Sequence, residues 1–215
     1  MSKTARIGAG VLLAAPLVAL IANVVPPTIS DEAGDRVAAL TDHHTAMVAG
    51  IAADAISIAL MIGGVIWLAS ALRSRAPGLA LTGGVLGVVG ALVVLFHDGM
   101  AAAGVAVVSK LGTAQATSVL DAAHSSGAGQ LEPLSLLLNV GLICLGVAAI
   151  KAGAPTWLAA AVAVGAVAQG AGLATGTRLL AVAGFAVVFL SLAGVVRVVA
   201  GVPARQLAHA SASPA

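Results

Sequence analysis

The chain has 215 residues, 60% of them hydrophobic and 8% charged, with a formal net charge of +2 and a mean hydropathy of +1.10. A soluble domain carries roughly 25% charged residues, so a water-facing globular surface is excluded and an integral membrane protein is indicated. The single cysteine, Cys144, excludes an intrachain disulfide and a thiolate metal cluster.

Lys3 and Arg6 precede a first apolar run at 7–25, which Pro26-Pro27 ends because neither proline offers a backbone N–H. The run is long for a signal peptide and no A-x-A pattern precedes the prolines, so an uncleaved span is expected. An outer loop at 26–46 leads to a second span at 47–72. In "LTDHHTAMVAGIAADAIS", Thr41 or Asp42 is the expected N-cap of that span. His43, Met47, Gly50 and Asp54 then follow spacings of four, three and four, which put them on one helical face. His43 and Asp54 lie about 16 Å apart along the axis, too far to share one metal but close enough to line one outward-opening cavity.

The Ala76-Pro77-Gly78 turn leads to a third span at 78–96. Gly83-x-x-x-Gly87 within it fits close helix contact. His97-Asp98 follow near the outer hydrocarbon boundary, about 30 Å from the start of the span. The stretch 99–108 is apolar but too short to cross by itself, so it either extends the helix or folds back over the mouth of the bundle. Both arrangements partly cover His97-Asp98. A short amphipathic helix is expected within 113–129, with Asp121 and His124 at i, i+3 on one face. Three further spans follow at 134–150, 155–173 and 179–200, with Asn139 and Gln169 expected to make interhelical hydrogen bonds. A polar tail at 202–215 is expected to be disordered.

With the N-terminus in the cytoplasm, Lys3, Arg6, Arg73, Arg75, Lys151, Arg197 and Arg205 fall inside, and only Arg36, Lys110 and Arg178 fall outside. This is the bias that sets orientation, and it also accounts for the basic pI without a nucleic-acid partner. The acidic residues lie outside or at the outer boundary, with Asp54 in the outer half of the second span. The expected fold is an all-α polytopic bundle, one domain over 1–201, in the plasma membrane with both termini cytoplasmic. Its partners are the lipid bilayer and other membrane proteins.

His43, His44, His97 and His124 share the outer side with Asp54, Asp98 and Asp121. Imidazole and carboxylate suit a divalent ion such as zinc, and they also suit proton handling. His97, Asp98 and His124 are the metal-ligand candidates. Asp54 and Asp121 are the catalytic candidates, and His43 and His44 are further outer-face candidates. Helix capping, pairing with nearby cations and simple hydration explain the same residues without a site. There is no G-x-S-x-G, H-E-x-x-H or C-x-x-C.

The opening "KTARIGAGVLLAAPLVALIANVV", the Arg-flanked hairpin and the late "APTWLAAAVAVGAVAQGAG" resemble a broad family of six-span bacterial membrane proteins of unknown function. That resemblance implies a six-span bundle and brings no catalytic residues. The outer His/Asp group is also similar in outline to the membrane metal hydrolases that include alkaline ceramidases, but the chain lacks their H-x-x-x-H pair and seventh span. Three readings stay open: a non-catalytic accessory or small-ligand-binding bundle, a metal-dependent hydrolase acting at the outer leaflet, and a proton-coupled carrier using Asp54.

Overall fold

The computed structural model describes residues 3–24, 33–126 and 129–211, and among these every regular element is helical. In chain order they are α1 (Lys3–Val24), α2 (Ala33–Asp42), α3 (His44–Leu72), α4 (Pro77–Lys110), α5 (Thr113–Ser125), a short 3-10 helix (Gly129–Ser135), α6 (Leu136–Lys151), α7 (Thr156–Ala174) and α8 (Arg178–Ser211). Among the described residues, five helices are long and apolar enough to cross a membrane: α1, α3, α4, Pro133–Lys151 and Arg178–Val199. Helix α7 is apolar too, but its qualifying stretch, Thr156–Gly172, is shorter.

Small residues fix how these helices lie against one another. A Cβ on Gly64 would strike Leu12, and one on Gly8 would strike the Trp67 ring, so α1 and α3 run antiparallel. Gly84 meets Ala69 and Gly87 meets Val65, which sets α4 antiparallel to α3. Gly83 lies against Gly141 and Leu145, and Gly90 against Leu138, so α6 reverses again. Gly146 faces Ala159 while Gly170 faces Asn139, so α7 runs back along the full length of that contact. Gly165 on Val188 and Gly194 on Leu158 complete the alternation with α8. Apolar tails in lipid gain little from meeting each other, and close backbone approach between small residues supplies the van der Waals contact instead.

The side-chain distribution follows the same logic. Ala15, Val65, Leu68, Leu142, Leu145 and Val162 are buried inside. Large apolar residues stand outward, among them Leu179 at 81%, Leu81 at 69% and Trp157 at 66% exposed. A water-soluble chain would not leave such a surface uncovered.

The turns hold to expectation where proline or glycine dictates the backbone. Pro77 opens α4 in its first turn. Gly153 and Gly176, at φ 94° and 64°, occupy the left-handed region that glycine enters without steric cost.

Other local expectations are corrected. The N-cap of α3 is His43, not Thr41 or Asp42, and it makes no side-chain cap bond. Thr41 instead donates to Val37 O within α2, because α2 runs almost directly into α3 and Asp42 is still helical. The outer segment 26–46 is therefore not a plain loop; its residues 33–42 form α2, while 26–32 lie outside the described residues. Helix α4 continues straight through 97–110, which settles the alternatives for 99–108 in favour of extension. Helix α8 runs on to Ser211, over most of the stretch expected to be a disordered tail.

Together α2, the outer end of α4, α5 and the 3-10 helix touch one another above the bundle. Val37, Leu40, Gly104 and Ala116 are buried there. They form a small apolar seam separate from the core between the long helices.

Candidate functional site

Two carboxylates stand at matching depth because α3 and α4 form a hairpin. Asp54 lies about 27 Å before the end of α3 at Leu72, and Asp98 about 31 Å after the start of α4 at Pro77. Their carboxyl groups meet within side-chain hydrogen-bonding reach. Oδ2 of Asp98 and Nε2 of His97 are buried without a partner. They sit about 20 residues into α4, which continues as one helix to Lys110.

Asp54 also lines a cavity of about 90 Å³ in the same half of the bundle. Its walls come from α1 (Pro16, Ala19, Asn23), α3 (Asp54, Ser57, Ile58, Met61), α4 (Val94), α6 (Leu138, Leu142), α7 (Gln169) and α8 (Phe185, Val188). Pro16 breaks the α1 hydrogen-bond ladder beside it, since proline has no N–H to offer Leu12 O. Asn23 Nδ2 donates to Ala19 O at 2.9 Å, and buried Ser57 Oγ donates across to Ala15 O at 2.8 Å. Three helices thus bring polar side chains or a proline to one partly open, mostly apolar space.

The other sequence candidates are placed differently. Met47 and Gly50 face inward with Asp54, but His43 and His44 are exposed at the top of α3. Asp121 is exposed on α5. The backbone of His124 lies in α5, and its side chain lies outside the described residues. Among the described residues no three His, Cys, Asp or Glu side chains are grouped to hold a metal ion, so the hydrolase reading finds no ligand set there. Asn139 reaches toward Gly170, yet its Oδ1 is buried without a partner, contrary to the interhelical hydrogen bond expected of it. No protein-family model matches the chain, and no characterised protein or solved structure is significantly similar to it. Function must therefore be read from the geometry.

Sequence reasoning did not single out Asn23, Ser57, Met61 or Phe185 as site residues. A signal existed for two of them. Ser57 and Met61 continue the face of Met47, Gly50 and Asp54 at spacings of three and four. Asn23 and Phe185 carried none, because only the meeting of α1 and α8 brings them to this cavity.

Proposed function

We propose that the chain is a six-span integral protein of the plasma membrane with both termini cytoplasmic, and that it works as a non-catalytic, small-ligand-binding bundle. The sixth span is α7. Its 19 residues reach about 28 Å, close to the thickness of the hydrocarbon core. One observation carries the ligand-binding reading: Asp54, with Asp98 beside it, borders a partly open cavity that also receives Asn23, Ser57 and Gln169. Ionisable groups inside a span are costly and are kept where they face a cavity or a partner.

The test is access. In a Cys144→Ala background, Gln169→Cys should react with a small water-soluble thiol reagent applied from the outer side, whereas Val167→Cys on the lipid-facing side of α7, 65% exposed in the bundle, should not. A folded but unreactive Gln169→Cys protein would remove the ligand-binding reading. The nearness of the Asp54 and Asp98 carboxyl groups also favours a second reading, a proton-coupled carrier using Asp54. Flux of a bound ligand driven by a pH gradient in liposomes separates that carrier from a static binder.

A further inference from the structure

Building on the small-ligand reading, we infer that the cavity beside Asp54 takes a small organic ammonium ion, a protonated amine carrying a short apolar body. Two of the lining donors are engaged within the protein. One Asn23 amide N–H is given to Ala19 O and the Ser57 hydroxyl proton to Ala15 O. What both retain is oxygen acceptor capacity, and Asp54 adds a carboxyl. Together with Gln169 these side chains offer oxygens that a ligand rich in N–H donors can meet.

Charge narrows the class. Asp54 is the one acidic side chain among the residues that line the cavity, and a single carboxylate matches a monovalent cation. A divalent ion would need several further ligands, and among the described residues no third His, Cys, Asp or Glu joins Asp54 and Asp98. Size and wall chemistry exclude a bare ion as the best fit. One water occupies roughly 10–15 Å³ on this volume scale, and the cavity offers about 90 Å³. Ile58, Met61, Leu142 and Val188 make most of its wall apolar, so the remaining volume suits a few carbon atoms. Phe185 in the same wall adds an aromatic ring, whose π face attracts cations.

The experiment uses the full chain in lipid nanodiscs with n-propylammonium chloride as probe. 1-Propanol and propionate serve as neutral and anionic shape matches, and sodium and potassium chloride as bare cations. Propylammonium should raise the thermal unfolding midpoint and slow the labelling of Gln169→Cys, and the four controls should do neither. Asp54→Asn should weaken the propylammonium response by about tenfold or more, since a charge-assisted hydrogen bond is lost. An equal response to propanol would make the ligand neutral, and an equal response to sodium or potassium would make it a bare cation; either overturns the assignment. If Gln169→Cys is labelled but propylammonium gives no protection, the ammonium assignment fails while the ligand-binding bundle stands. If Gln169→Cys is never labelled, both fall together.

Discussion

At the scale of single residues, glycine and aspartate do opposite work in this bundle. Glycines permit contact. A Cβ added to Gly141 would lie 2.3 Å from the backbone nitrogen of Gly87 and 2.6 Å from its Cα, and no side-chain rotation can relieve a clash with backbone. Gly141→Ala should therefore force α4 and α6 apart and cost about 1–3 kcal/mol, in the range of overpacked cores. Gly99→Ala is the control. It meets nothing within 4 Å, lies in an exposed turn of α4, and should be neutral or stabilising by up to about 1 kcal/mol through helix propensity. Thermal unfolding of both variants in one detergent checks the contrast, and equal midpoints would show that the α4–α6 contact is looser than described. The aspartates, by contrast, stand side by side where burial makes a charged group costly. Ser57 works with them by tying α3 to α1 at the level of the cavity. Such interhelical bonds contribute about 0.6 kcal/mol on average in a membrane, so Ser57 is worth more for position than for stability.

At the scale of elements, the long helices and the cap obey different rules. The long helices are apolar around most of their circumference, and their positions were legible from run length, proline and glycine. The cap was much less so. Helix α2 reads as "AGDRVAALTD", too polar for a span and short enough to pass for a loop. Its one signal is Val37 and Leu40 at i, i+3, and both are buried. The Asp54–Asp98 pairing was half legible: a hairpin closed at 73–76 brings residues some twenty positions to either side to the same depth. The cavity was not legible, because it needs α1, α7 and α8 to meet α3, and no single-chain period encodes that. The cap's dependence on a thin apolar seam can be tested. Val37→Asp buries an unpaired carboxylate where α2 meets α5, at a cost of several kcal/mol against a small contact area. The cap should open while the long helices stay packed, so trypsin should cut faster after Lys110 with the main thermal transition unchanged. A cleavage rate equal to wild type would mean that the cap is held by something other than this seam.

At the scale of the whole molecule, the alternation of six helices sorts charge by end. Contacts along the helices place Lys3, Arg6, Arg73, Arg75, Lys151 and Arg197 at one end of the bundle. Arg178 lies at the other, against the usual retention of cations inside, and the structure gives it a local task. Its guanidinium donates to the carbonyl of Val24 at the C-terminus of α1, where a cation satisfies an orphan acceptor and opposes the negative end of the helix dipole. That contact also ties the start of α8 to the end of α1. Helix α7, which links Lys151 at one end to Arg178 at the other, must then traverse the bundle. Single cysteines in a Cys144→Ala background convert this into a measurement. Ser74→Cys and Lys151→Cys should react with a membrane-impermeant maleimide only after cells are opened, and Thr175→Cys should react on intact cells. All three positions are exposed in the bundle, so a difference between them reports sidedness and not burial. If Lys151→Cys and Thr175→Cys react from the same side, α7 does not cross. The chain would then have five spans, and its two ends would face opposite compartments.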